Sequence, residues 1–333
     1  MLREQAPRHP AGPRGSRRVS AAALRLGTRA SLLATTQSGH VANAIRAATG
    51  REVELVPITT AGDVLTGPLA QLGGTGVFVA ALREALLRGE CDLVVHSMKD
   101  LPTGAVEGLC IGAVPPRAPV RDVLCSRGGL TLDALPHGAV VGSGSPRRVA
   151  QLLRRRPDLD VRGIRGNVDT RLSKVDEGEY DGVVLAEAGL TRIDRTDRIA
   201  DRFDESGWPT SAGQGALAVE VREGDAVADA VAPITDADAE VTALLERAVL
   251  RRLEAGCAAP VGITARVGDE PESVALIAEV YSLDGARAVR VERAFARDAV
   301  TDEPARDAAA ATVVAELLDG GAADLADLAG SGR

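Results

Sequence analysis

Between Arg147 and Arg171 the chain carries eight arginines and three acids (Asp158, Asp160 and Asp169), a balance of +5 over 25 residues inside a protein of formal net charge −8. These arginines do not all ask for the same explanation. Arg154, Arg155 and Arg156 come late in an expected helix, where cations suit the negative end of the dipole, and they read as a solvated basic face. Arg147 and Arg148 follow Gly142-Ser-Gly-Ser-Pro146, with Ser145 as cap and Pro146 at the first helical position. Two guanidinium groups then stand beside the free N–H groups of a helix start, where the dipole disfavours cations. An anion is the natural third party.

The same design recurs. Arg29 and Ser31 follow a first strand at a helix start. Arg165, Gly166 and Asn167 follow another strand and open a helix, with Arg171 one turn further on. His96, Ser97, Lys99 and Asp100 follow the apolar run DLVVH. In an open α/β sheet the C-terminal strand ends face one crevice, so these loops direct Arg, Lys, Ser and Asn into one cleft. The expected ligand is polyanionic, and planar guanidinium forks favour carboxylates or phosphates. A nucleotide is a poor match, because GSGSPRR lacks the third glycine of a dinucleotide fingerprint and no GxxxxGK[ST] occurs. Asp100, amid these cations, reads either as an acid–base or cation-stabilising group or as a salt-bridged loop carboxylate.

The four cysteines divide similarly. Cys91 and Cys125 flank or lie in apolar strands, Cys110 sits in LCIGAV, and all three read as core filling. Cys257 sits in Glu254-Ala-Gly-Cys-Ala-Ala-Pro260, just past an amphipathic helix, on a flexible loop that suits a thiol that must be reached. No CxxC pair occurs, so neither a zinc ribbon nor a thioredoxin-like site is expected, and no residue is assigned to a metal.

The elements that must position these groups alternate. A strand at 23–27 is followed by a helix from Ser31 to about Ala48, stopped by Gly50, and a strand at 52–59. After a glycine-rich stretch come a helix at 79–87 and a strand at 92–96. Pro115, Pro116 and Pro119 mark a boundary. The pattern restarts with strands at 139–142, 160–164 and 181–186 and helices at 145–156 and 167–177. Strand–helix alternation implies βαβ units and doubly wound sheets. Residues 207–215 read as a return crossing, and 216–221 (ALAVEV) as a strand rejoining the first block. The last hundred residues read as an amphipathic helix over Val241–Leu253, strands at 261–267, 274–281 and 288–295 with an Asp284–Gly285 hairpin turn, and a helix at 304–318. The fold class expected is α/β, two doubly wound domains plus a small C-terminal α+β domain with a three-stranded antiparallel sheet. The boundaries expected are 22–117 with 213–235, 118–212, and 236–333.

Composition narrows the function. At 333 residues the chain has room for two or three domains. It has no apolar run near the roughly 18 residues of a membrane span, so no spanning segment is expected. Aromatics are 2%, which leaves little for base-stacking platforms and, with the net charge of −8, argues against a nucleic-acid partner. Lys99 and Lys174 are the only lysines among 39 basic residues, a bias that a GC-rich genome accounts for. Residues 1–21 are Arg- and Pro-rich and lack the apolar core of a secretory signal; they read as a disordered tail or as the product of a start codon placed too early.

Seven segments together resemble the porphobilinogen deaminase (hydroxymethylbilane synthase) family, in the family's order and over essentially Leu24–Leu318. They are RLGTRAS, VHSMKDLPT, VGSGSPRR, IRGNVDTRLSK, EYDGVVLAEAGL, AGQGALAVE and LEAGCAAPVG. The resemblance implies two periplasmic-binding-protein-like domains and a third that carries the cysteine loop. It implies a dipyrromethane cofactor held by Cys257 through a thioether, with Asp100 as the catalytic aspartate. Lys99, Ser145, Arg147, Arg148 and Arg171 match cofactor-binding positions, and Arg29, Ser31, Gln37, Arg165 and Gln214 match substrate-binding ones. It further implies a cytoplasmic monomer that acts on porphobilinogen with no nucleic acid or membrane partner. Porphobilinogen would lose ammonia to give an electrophilic azafulvene that a pyrrole carbon of the growing chain attacks, until four substrates have been joined and released as a linear tetrapyrrole. Each added ring brings two carboxylates, which is the need an arginine-lined cleft would meet. The sequence departs from the family at Gly73-Gly-Thr-Gly-Val-Phe-Val-Ala-Ala-Leu-Arg83, where Thr75 stands for a lysine and Ala80 and Ala81 for a Lys–Glu pair, and at Thr60-Ala-Gly-Asp63. No catalytic lysine is assigned in that segment. A non-enzymatic anion-binding protein of the periplasmic type would share the fold and the arginines. It would leave Asp100 and the Cys257 loop without a purpose, and it would call for a secretory signal.

Overall fold

The structure is a computed structural model that describes residues 22–58, 76–255, 259–268, 272–326 and 328. The tail 1–21, the Thr60–Asp63 and Gly73–Thr75 departures, and Cys257 lie outside the described residues.

The chain opens with β1 (Leu24–Thr28), α1 (Leu32–Thr49), β2 (Val53–Pro57), α2 (Gly76–Leu87), β3 (Leu93–Ser97) and β4 (Leu109–Ala113). Helix α1 buries Gln37, Ser38, Val41, Ala42 and Ile45, a single stripe at three- and four-residue spacing, and Gly50 ends it in the left-handed conformation. A second set follows: β5 (Asp122–Ser126), β6 (Val140–Gly142), α3 (Pro146–Arg155), β7 (Asp160–Arg162), α4 (Val168–Asp176), β8 (Gly182–Ala186), α5 (Glu187–Arg192) and β9 (Asp201–Arg202). The chain then returns through β10 (Leu217–Arg222) and α6 (Val227–Val231). It ends in α7 (Ala237–Arg252), β11 (Val261–Val267), β12 (Ser273–Tyr281), β13 (Ala288–Ala296) and α8 (Glu303–Asp319).

Three sheets result, in the orders β2-β1-β3-β10-β4, β7-β6-β8-β5-β9 and β11-β12-β13. This is the expected class, two α/β domains and a small α+β one, with two additions. The sequence reading assigns no strand at 109–113, where LCIGA offers a short apolar run without alternation, and none at 201–202, and it sets no bounds for the strand around Cys125. Each five-stranded sheet is also mixed. Strand β10 runs antiparallel to both β3 and β4, and β5 antiparallel to β8 and β9. Both exceptions are the strands with which the chain enters a sheet from the other one. Leu24, Leu26, Leu93 and Val219 pack beneath the first sheet, Leu124, Val141 and Val184 beneath the second, and Ile263, Leu276 and Leu317 in the third. Among the described residues no helix is long and apolar enough to cross a membrane.

Candidate functional site: a cation-lined cleft

Strand β3 is buried through its apolar run and leads into a single 3-10 turn, Met98–Asp100. Met98 is fully buried and Leu101 nearly so, which plugs both ends of the turn into the core and turns Lys99 and Asp100 outward. The Met98 N–H donates to the Ala216 carbonyl at 3.0 Å, tying the turn to the return crossing. The approach is so close that a side chain at Gly213 would place its Cβ 3.0 Å from Met98 and 3.3 Å from the Lys99 nitrogen, and Gly213 has φ +73°. Only glycine meets both conditions without strain.

Four further strand ends reach the same place. Arg29 and Ser31 follow β1, Gly166 and Asn167 follow β7, and Arg192 closes the short helix after β8. Arg148 enters from the first turn of α3, after β6. Together with Ser97, Lys99, Asp100, Asp169 and Arg171 they line a cavity of about 340 Å³ between the two five-stranded sheets. Its wall holds the cations Arg29, Lys99, Arg148, Arg171 and Arg192 against the acids Asp100 and Asp169.

The start of α3 holds the main difference from the sequence reading. Ser145 is the N-cap residue but makes no side-chain cap bond, and Pro146 occupies the first turn. The anion beside Arg147 and Arg148 belongs to the protein. Asp122, fully buried at the start of β5, accepts from Arg147 Nη1 at 2.8 Å, Arg148 Nη2 at 2.6 Å, Gln214 Nε2 at 2.8 Å and Trp208 Nε1 at 3.1 Å. Burial alone would raise its pKa, but the two guanidinium groups outweigh burial and hold the carboxyl well below the usual range. Arg147 also donates to Gln151 Oε1, the Pro209 carbonyl and Ser211 Oγ. It is buried and does not line the cavity, so the anion expected from outside is supplied from inside. Arg148 has a double role: it holds Asp122 and lines the cavity, and its buried Nε has no hydrogen-bond partner among the described residues.

Gln214 is fully buried behind the cleft. Its amide nitrogen donates to Asp122 and to the Val120 carbonyl at 2.7 Å, and its oxygen meets Lys99 Nζ and Arg148 Nη2, both at 3.4 Å. Gln37 is buried as well and donates to Ser97 Oγ at 2.9 Å. Arg165 is exposed, and neither it nor Ser145 is among the residues lining the cavity. Asn167 caps α4 by accepting from the Thr170 N–H at 2.8 Å. Arg154 and Arg155 are exposed, Arg155 facing Asp133, whereas Arg156 is bound to Asp158 and to the Leu132 and Leu135 carbonyls. Arg156 is therefore a loop clamp and not part of a solvated face.

The electrostatics are those of a site short of negative charge. Lys99 has an open face on the cleft, yet crowding by protein atoms and by the Arg148 charge pushes its pKa down to about 8. Burial pushes Arg192 to about 10, opposed by Asp100, and lowers Arg171, helped by Arg148. Arg192 donates to the Gly215 carbonyl at 2.7 Å. Neither Arg192 nor Asp122 is singled out by the sequence reading. Arg192 could have been found by applying the strand-end rule to β8; Asp122 lies 25 residues from Arg147 and gives no local signal. Burial raises the thiols of Cys91 and Cys110, and pushes Cys125 up to about 12, so these three are poor nucleophiles.

Excess cations around a cavity, with an orphaned guanidinium donor in its wall, fit a ligand that bears several carboxylates. Two α/β domains meeting at that cleft, with a carboxylate on a turn within it, define an α/β protein that handles organic polyanions. The comparisons give the particular case. Residues 24–230 match the family model described as porphobilinogen deaminase, dipyromethane cofactor binding domain, and residues 240–309 match porphobilinogen deaminase, C-terminal domain. A porphobilinogen deaminase of Leifsonia xyli subsp. xyli is 55% identical over 92% of this chain and 95% of its own. One of Cutibacterium acnes is 50% identical over 93% of this chain and 98% of its own. Among solved structures, the methionine-binding protein MetQ is similar over 68% of this chain and 93% of its own, with a TM-score of 0.40 and 12% identity. The chain belongs to the porphobilinogen deaminase family. It is a transferase with hydroxymethylbilane synthase activity in tetrapyrrole (heme) biosynthesis, its substrate is porphobilinogen, and its cofactor is dipyrromethane.

Proposed function

We propose that Asp100 is the carboxylate that acts on the substrate, and that Cys257 holds the dipyrromethane through a thioether. The observation that carries this reading is the convergence of Arg29, Lys99, Arg148, Arg171 and Arg192 on the cavity into which Asp100 opens. When bound, the cofactor supplies the pyrrole carbon from which the product chain grows. The protein's part is to hold carboxylates and to steady positive charge. Lys99, Arg148 and Arg171 take the cofactor's carboxylates, and Arg29 and Ser31 those of the substrate; Ser145 and Arg165, outside the cavity wall, meet carboxylates of cofactor and substrate, respectively, that extend beyond it. Gln37 and Gln214 act from behind the wall, through Ser97 and through Lys99 and Arg148, and Arg147 acts by fixing Asp122. Asp100 stabilises the pyrrole cation that develops when ammonia leaves and takes part in moving its proton.

We assign domain 1 to 22–117 with 213–235, domain 2 to 118–212 and domain 3 to 236–333. The protein is a cytoplasmic monomer in this reading, with neither nucleic acid nor membrane as partner. Intact-mass measurement tests it. The purified protein is expected to exceed its sequence mass by one dipyrromethane, and Cys257→Ser to lose that increment. Asp100→Asn is expected to keep the adduct and to lose on the order of 10²–10³ in turnover. An adduct on Cys91, Cys110 or Cys125, or an Asp100→Asn turnover within about threefold of the parent, defeats the assignment.

A further inference from the structure

The turn that carries Lys99 and Asp100 is too short to satisfy its own backbone, because the last carbonyls of any helical turn have no partner within it. Its ends are met from the third domain. Arg247, on α7, donates through Nη1 to the Met98 carbonyl at 3.2 Å and to the Leu101 carbonyl at 2.7 Å, and through Nη2 to the Pro102 carbonyl at 2.8 Å. One planar, charged fork thus grips three carbonyls that bracket Asp100, a geometry lysine cannot reproduce. Burial, helped by the Arg83 charge, lowers its pKa to about 10, so it stays a cation at neutral pH.

The helix behind this fork is itself anchored. Glu246, next in sequence, accepts from the Gly213 N–H at 2.6 Å and Arg117 Nη2 at 2.7 Å through one oxygen, and from the Ala265 N–H at 2.7 Å through the other. We propose that Arg247 is a positioning residue: from domain 3 it fixes where the Asp100 carboxylate stands. This inference rests on the reading of Asp100 given above.

A double-mutant cycle on the holoenzyme tests it. The variants are Arg247→Met, Arg247→Lys, Asp100→Asn and the Arg247→Met/Asp100→Asn pair, with Arg251→Met as reference because Arg251 pairs with Glu303 and Asp307. Arg247→Met, carrying its full cofactor mass, is expected to lose about 10–100-fold in kcat, the scale of a misplaced catalytic group. Its KM is expected to stay within about threefold, and Arg247→Lys to recover part of the loss. In the Asp100→Asn background the same change is expected to cost less than about threefold, since the group it positions is gone. An undiminished loss in that background, an unchanged kcat, or an equal loss in Arg251→Met overturns the inference. If Arg247→Met yields no folded holoenzyme, Arg247→Lys runs through the same cycle and is read in the same way. An Asp100→Asn enzyme within about threefold of the parent instead overturns the underlying reading and is scored separately.

Discussion

Asp122 shows how one buried carboxylate organises a cleft it does not enter. It neutralises part of two adjacent guanidinium charges, and it holds Arg148 in the orientation from which that residue lines the cavity. Asp122→Asn preserves shape but leaves Arg147 and Arg148 facing each other without a counter-charge. Breaking a buried pair from one side typically costs about 3–5 kcal/mol, and urea unfolding of the variant is expected to show a loss of that size. The pH dependence follows from the direction of the shift. The native pKa is depressed below the unfolded one of about 4, so the stabilisation is complete above that value and drains away as pH falls below it. Between pH 7 and 4 the parent is expected to keep this contribution, and below pH 4 to lose it steeply, whereas Asp122→Asn lacks that part of the acid limb. A variant as stable as the parent at neutral pH would show that the guanidinium pair needs no such partner.

At the scale of elements, the two ends of helix α3 provide a comparison within one segment. Arg148 at its start is buried and bound to Asp122 and the Val184 carbonyl; Arg155 at its end is exposed beside Asp133. Arg148→Leu is expected to impair cofactor occupancy and turnover together, since each charge-assisted bond lost is worth about 1.5–3 kcal/mol. Arg155→Leu is expected to change stability by under about 0.5 kcal/mol and to leave occupancy intact. Arg147→Leu should separate from both, with a large loss of stability and a smaller one in the occupancy of whatever folds. Equal occupancy in all three would dissolve the distinction. The strand-end rule brought Arg29, Ser31, Lys99, Asp100, Arg148 and Arg171 to one cavity from the sequence alone, because strand C-termini are fixed by local apolar runs. The rule fails at Arg165, which does not line the cavity, and at Arg147, where the question is not whether an anion is present but whose it is. The hairpin at Asp284–Gly285 was legible, and the reason is visible: Gly285 has φ +72°, and a Cβ there would sit 2.3 Å from the Ala150 carbonyl oxygen. Strand β4 was not, because LCIGA becomes a strand only by pairing with β10, more than a hundred residues on.

For the whole molecule, that pairing fixes more than the sheet's appearance. Strand β10 is inserted between β3 and β4, so β4 reaches the first sheet only through a strand that follows the entire second domain. A fragment of residues 22–117 is therefore expected to remain largely unfolded. The same fragment joined by a flexible linker to residues 213–235 is expected to fold with a cooperative urea transition; a cooperative transition in the shorter fragment would contradict this. On the ribosome, then, the first hundred residues to emerge hold unpaired strand segments until Arg222 has left the exit tunnel. At about 5–20 residues per second the wait lasts on the order of 5–20 s. Throughout it those unpaired segments are available to any neighbouring strand, and folding of the second domain brings the closing strand home.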